Sequence, residues 1–217
     1  MSLNINEYID HTLLKAQTTE SDILKLCDEA MSHGFAAVCV PPYYIKTAKA
    51  ALKDSGVKLA TVIGFPLGYD HIGTKVDSIK RCIDQGADEI DAVINLAAVK
   101  NHNWVEVESE IDSLTTACRI KNKAIKLIIE AALLTDEELD NVLEIAINNN
   151  ATYIKTSTGY QVPEDQLKLI SYLRSRLPDG IKIKASGGIR DLASAKALIL
   201  AGANRLGTSS ALKILNL

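Results

Sequence analysis

What the sequence lacks narrows the field first. It has no block of lysine or arginine: 24 basic residues are interspersed with 27 acidic ones, for a formal net charge of -3. That is not the electrostatic footprint of a nucleic-acid binder. No apolar run approaches the roughly 18 residues needed to cross a bilayer, so no membrane association is expected. The start, Met1-Ser2-Leu3-Asn4-Ile5-Asn6-Glu7, has neither a basic segment nor an apolar one, and no signal peptide is expected. The cysteines Cys27, Cys39, Cys82 and Cys118 form no C-x-x-C pair. Cys27 and Cys82 lie on apolar helical faces, where a free thiol packs as a small hydrophobe. A reduced, cytoplasmic protein is the natural reading.

Several chemical motifs are missing too. His11, His33, His71 and His102 form no pair at metal-ligand spacing, so neither a metal nor another cofactor is expected. No Ser-His-Asp order or nucleophile elbow occurs. No G-x-G-x-x-G turn follows a strand, which argues against an open dinucleotide-binding sheet.

What is present is an alternation. Hydrophobic residues make up 47% and charged residues 24% of 217 residues, the balance of one globular domain over 1–217. Short β-branched runs recur at 36–40, 59–63, 89–94, 125–129, 152–156, 181–184 and 205–206, with helical spacing between them. Ile23, Leu26, Cys27 and Ala30 are one such helical face, which Thr19 or Ser21 would cap. Gly34, Gly86, Asn150 and Gly202 each follow a helical pattern and precede a strand, as residues that take the left-handed conformation at a helix end do. An eighth strand at 9–12 is weak, since Asp10 and His11 do not favour strands. Alternating βα units imply a parallel sheet, and with no dinucleotide turn the expected fold is α/β, a (β/α)8 TIM barrel.

In such barrels the chemistry sits where the strands end. Two strands end in Lys155 and Lys184, and a third carries Asp91 between apolar Ile90 and Ala92. Alternation puts Asp91 on one face and its neighbours on the other, and puts Lys182 with Lys184. These charges are expected to face the interior, where they must be paired or used. A structural ion pair of Asp91 with either lysine is one reading, with Lys182 in a polar lower layer. The other is chemical. A second cation and partial desolvation disfavour an ammonium, so Lys184 would help make Lys155 a neutral nucleophile for an aldehyde. Asp91 would then shuttle protons. Two lysines at the functional end for one acid favour this second reading.

The segments Ala185-Ser186-Gly187-Gly188-Ile189-Arg190 and Gly207-Thr208-Ser209-Ser210 follow the last two strands, the usual phosphate site of this fold. Thr158-Gly159 would close a third side. Arg190 would either assist the anion or pair with Asp191 or solvent. His11 is expected to face the pocket if the first strand is real. Cys39 ends a strand and is a candidate for aldehyde adducts.

At these residues the chain resembles the deoxyribose-phosphate aldolase family. The matching stretches are Asp10-His11-Thr12-Leu13-Leu14, Cys39-Val40-Pro41-Pro42, 61–68, Asp88-Glu89-Ile90-Asp91, Ile129-Glu130, Ile154-Lys155-Thr156-Ser157-Thr158-Gly159 and 184–190. They run in order along nearly the whole chain. The resemblance implies a metal-independent lyase that cleaves 2-deoxy-D-ribose 5-phosphate reversibly to D-glyceraldehyde 3-phosphate and acetaldehyde. It implies Lys155 as the Schiff-base lysine, and Lys184 and Asp91 as its catalytic partners. It places substrate phosphate at Gly187, Gly188, Gly207, Ser209 and Ser210, with Asp10 and Thr12 near the sugar hydroxyls. Thr156 and Gly159 belong to the same substrate-binding set. A homodimer would fit the family. Tyr160 stands where some members carry a lysine, leaving one fewer cation for the phosphate. The chain stops at Asn216-Leu217, short of the tyrosine-ended tail of some members. Two alternatives stay open: another Schiff-base barrel enzyme such as a transaldolase or a dehydratase, and a phosphosugar-binding barrel without catalysis.

Overall fold

Eight parallel strands close on themselves: each pairs with its sequence neighbour, and the first pairs with the last. They are β1 (Ile9–Thr12), β2 (Ala37–Val40), β3 (Lys58–Ile63), β4 (Glu89–Val93), β5 (Ala124–Ile128), β6 (Tyr153–Lys155), β7 (Lys182–Ser186) and β8 (Arg205–Thr208). The computed structural model describes residues 3–216. Met1 and Ser2 at the start and Leu217 at the end, which the leader and tail readings include, lie outside the described residues. The expected TIM barrel is therefore present. The weak strand is real, held between β2 and β8 by pairs such as Asp10 with Ala37 and Asp10 with Gly207.

Helices fill the connections: α1 (Glu20–His33), α2 (Ile45–Leu52), α3 (Ile72–Asp84), α4 (Leu96–Lys100), α5 (Trp104–Ile120), α6 (Asp136–Asn148), α7 (Gln166–Arg176), α8 (Leu192–Leu200) and α9 (Ala211–Ile214). Their ends follow from local chemistry. Thr19 caps α1 in a reciprocal box with Asp22, and Thr135 does the same for α6 with Glu138. Gly34 ends α1 in the left-handed conformation, and Gly86, Asn150 and Gly202 also have positive φ where a helix turns back toward a strand.

The main apolar core lies between strands and helices, where Ile23, Ile79, Ile111, Val142, Ile170 and Leu198 meet outward side chains such as Ile90, Leu127 and Ile183. Each such burial contributes roughly 1.5–3 kcal/mol. The barrel interior is divided. On the β2 and β3 side Cys39, Ala60 and Val62 form a small apolar cluster against Leu14 and Phe65. Toward β4 through β8 and β1 the interior is ionic.

Two sequence expectations are corrected here. His11 does not face the pocket. It alternates with inward Asp10, so its ring points out to α1, where Nε2 lies 2.7 Å from Glu29 and the ring meets Phe35 edge-on. Lys182 shares strand parity with Lys184 but is exposed. It starts β7 at the barrel's lower rim, where its ammonium reaches solvent across the Tyr153 ring, 5.6 Å from the centroid.

Candidate active site

The ionic half of the interior begins with strand register. Asp91 stands beside Lys126, and Lys155 beside Lys184, which stands beside Arg205. Asp91 is fully buried, and its two oxygens divide the cations between them. Lys126 donates to Oδ1 at 2.7 Å, while Lys155 and Lys184 each donate to Oδ2 at 2.8 Å. Below them Lys126 meets Glu89 at 2.6 Å, Arg205 meets Glu89 at 2.9 Å and also Asp10, and Lys184 meets Asp10 at 2.5 Å. Four cations thus face three carboxylates. With every group ionised the cluster carries one surplus positive charge in a low-dielectric interior.

The electrostatics pick out where the surplus falls. Burial opposes ionisation of Asp91, but Lys126, Lys155 and Lys184 outweigh it and hold its carboxyl well below the usual range. Burial likewise opposes Asp10, and Lys184, Lys126 and Arg205 pull it down. Lys184 and Lys126 are also desolvated, yet their acid partners raise both above the ordinary lysine value. Lys155 goes the other way. Burial lowers its pKa, Asp91 only partly offsets this, and the Lys184 charge lowers it further.

Lys155 is also the one of these lysines that opens on the outside. A cleft of about 300 Å³ sits over the strand ends and is lined by Lys155 at its base and by Thr12, Gly159, Gly187, Gly188, Gly207, Ser209 and Ser210 on its walls. Leu14 and Phe65 give it one apolar side. The walls are tied together: Thr208 donates to the Ile189 carbonyl at 2.8 Å, and Gln166 donates to the Gly187 carbonyl. Gly207 admits no side chain, since a Cβ there would stand 2.9 Å from Lys184 Cε and 2.4 Å from Ser186 Oγ.

A cleft walled by glycine loops over a lysine with a lowered pKa is matched by descent as well as by geometry. Residues 5–216 match the DeoC/LacD family aldolase. The chain belongs to this family. It is 46% identical to the deoxyribose-phosphate aldolase of Caldicellulosiruptor saccharolyticus over 98% of this chain and 97% of that one. It is 47% identical to the Geobacillus enzyme of the same name over 99% and 96%. Among solved structures, the tetrameric deoxyribose phosphate aldolase of Aeropyrum pernix superposes with a TM-score of 0.90 at 34% identity, covering 98% of this chain and 89% of that one.

Against that family frame, most residues singled out from the sequence converge on one place. Asp10 and Thr156 do not line the cleft. Asp10 is buried beneath it in the ion cluster. Thr156 is buried and accepts from the Ser186 amide at 3.1 Å, joining β6 to β7. Ser210 lines the cleft, but its N–H donates to Thr208 at 2.9 Å, and α9, which it opens, is a single turn with little dipole to offer. Asp191 caps α8 through Ser194, so it is not the partner of Arg190, which is exposed at the cleft. Cys39 faces inward within the apolar cluster, fully buried, with its thiol pushed up to about 11 chiefly by that burial. A thiol in that state is a poor nucleophile for aldehydes.

Sequence reasoning missed Lys126, Glu89 and Arg205. Lys126 sits between Ile125 and Leu127 as Asp91 sits between Ile90 and Ala92, so the same alternation argument would have found it. It also missed Lys15, an exposed cation on the cleft wall with no ion pair among the described residues. Tyr160 is exposed beside Phe65, ring centroids 5.9 Å apart.

Proposed function

We propose that this family member catalyses the reversible aldol cleavage of 2-deoxy-D-ribose 5-phosphate to D-glyceraldehyde 3-phosphate and acetaldehyde, with Lys155 as the imine-forming residue. One observation carries the reading: Lys155 lines the cleft, and its ammonium form is disfavoured by burial and by Lys184. The neutral amine adds to C1 of the open-chain sugar, and loss of water gives an iminium. That iminium accepts the electron pair of the C2–C3 bond as the C3 hydroxyl loses its proton. The resulting enamine is protonated at C2, and hydrolysis frees acetaldehyde and the amine. The imine is itself the electron sink, so the reaction calls for no cofactor or metal.

Asp91 is the group through which protons pass, since its Oδ2 touches both Lys155 and Lys184. Lys184, doubly paired with Asp10 and Asp91, stays charged and acts on Lys155 through its field. The loops at Gly187–Gly188 and Gly207–Ser210 receive the phosphate, with Lys15 and Arg190 as exposed cations at the same mouth. Lys15 supplies a charge to the same cleft that Tyr160 lines, Tyr160 standing where some members carry a lysine. Thr12 meets the sugar hydroxyls. The reading includes a cytoplasmic location, supported by four buried free cysteines, and self-association as a homodimer, the A. pernix relative being tetrameric.

The experiment is intact-mass analysis after incubation with acetaldehyde and borohydride. The expected result is a stable ethyl adduct on wild type, mapped to Lys155 and absent from Lys155→Ala, together with turnover of the deoxyribose phosphate. No adduct would return Lys155 to a structural ion pair. An adduct with turnover of ketose phosphates only would favour transaldolase.

A further inference from the structure

Directly after β5 lies a buried carboxylate that takes no part in the chemistry above. Glu130 has φ 46 and ψ 55, in the left-handed region, and is 3% exposed. A non-glycine residue holds that conformation only where its surroundings over-determine it. Here the chain bulges. The Ile129 amide donates to the Lys155 carbonyl at 3.0 Å and the Ala131 amide to Thr156 at 2.9 Å, where a regular parallel ladder would have reached residue 157. The carboxylate has no ion-pair partner among the described residues. It is satisfied by one neighbour: the Thr158 amide donates to its two oxygens at 3.1 and 3.4 Å, and the Thr158 hydroxyl donates as well.

Thr158 belongs to the loop that leaves Lys155 and walls the cleft. The Tyr160 amide donates back to Thr158 Oγ1 at 3.3 Å, so the chain turns around this one residue. Gly159 Cα lies 3.7 Å from where a Cβ on Gly187 would be, which puts the β6 loop against the β7 loop. Glu130 therefore fixes the wall of the cleft without touching Lys155 Nζ or Asp91.

We propose that Glu130 is a positioning residue that sets the 156–160 loop in the shape that receives the phosphorylated end of the substrate, and that imine formation at Lys155 does not depend on it. This rests on the aldolase reading above. The test is Glu130→Ala, which removes both oxygens of the clamp and leaves the Thr158 amide and hydroxyl without their shared acceptor. Steady-state cleavage of deoxyribose phosphate, the rate of borohydride trapping of acetaldehyde on Lys155, and Tm are measured together.

The expected result is a roughly ten- to hundredfold loss of kcat/KM for the phosphorylated sugar, mostly in KM. Trapping stays within about twofold of wild type. Thr158→Val, which removes the hydroxyl arm of the same clamp, must give the same split, and the double variant must be no worse than the worse single one. Wild-type kinetics in Glu130→Ala would overturn the proposal, as would parallel losses of trapping and turnover. A wild-type enzyme that traps acetaldehyde but ignores the sugar phosphate would instead overturn the aldolase reading.

Discussion

Lys155 and Lys184 share a single oxygen of Asp91, each with its Nζ 2.8 Å from Oδ2. One carboxylate oxygen does not neutralise two ammonium groups in a dry interior. Lys184 has Asp10 as a second acid at 2.5 Å, and Lys155 has none among the described residues. The surplus charge of the cluster is therefore relieved most cheaply by a proton leaving Lys155. Lys184 is the doubly paired lysine of the ion-pair reading, and Lys155 is the lysine whose ammonium form is disfavoured, as the proposed nucleophile requires.

Replacing Lys184 by leucine removes a like charge from Lys155 and leaves Asp91 free to hold its ammonium. Both changes raise the Lys155 pKa from its lowered position. The rising limb of the pH–rate profile for kcat/KM then moves to higher pH, and activity at pH 7 falls by roughly tenfold or more. An unmoved profile in this variant would separate Lys184 from the tuning of Lys155.

Asp91→Asn has the opposite electrostatic sign. Asp91 raises the Lys155 pKa, so its loss lowers that pKa further and favours the free amine. Trapping with acetaldehyde is expected to survive at neutral pH while kcat falls by about a hundredfold or more, because the proposed proton carrier is gone. Three buried lysines also lose their shared acid, at a cost of about 3–5 kcal/mol in urea unfolding.

Ser209→Glu places a carboxylate on the cleft wall proposed to receive the phosphate. KM for deoxyribose phosphate should rise by about tenfold or more from like-charge repulsion in the confined site. Unphosphorylated deoxyribose should be turned over at the wild-type rate. Equal losses for the two sugars would remove the phosphate from this wall.

Outside the barrel, Lys75 and Glu110 form a fully buried pair at 2.6 Å, and Lys75 also donates to the Val93 carbonyl at 2.8 Å and to Gly68. It holds the loop that carries Phe65 against the end of the strand that carries Asp91. Lys75→Met strands Glu110 and should cost about 3–5 kcal/mol. Adding Glu110→Leu should recover most of that, measured by denaturant midpoint at constant slope.

Most of the barrel could be read from residues alone because two local signals agree: β-branched runs mark strands, and Gly34, Gly86, Asn150 and Gly202 mark the turns back into them. Asp91, Lys155 and Lys184 were legible because charge on a core-facing strand is costly and hence conspicuous. Lys126 alternates with Ile125 and Leu127 and was as legible as Asp91, but its pairing with Asp91 was not, because register is fixed by all eight strands closing together. Lys182 was misplaced because parity gives the face of a strand and not the height along the barrel. His11 was misplaced because the same parity, applied to Asp10, would have turned it outward.

The ionic floor beneath Lys155 has a consequence for the order of events. Lys126, Arg205 and their acids fill the barrel beneath Lys155, and the cleft opens over the strand ends. On the mechanism proposed above, the two-carbon fragment stays bonded to Lys155 at the back during cleavage, while the phosphorylated aldehyde lies toward the mouth. The larger product must depart before the smaller one can follow, and in synthesis the queue reverses: acetaldehyde enters first and waits.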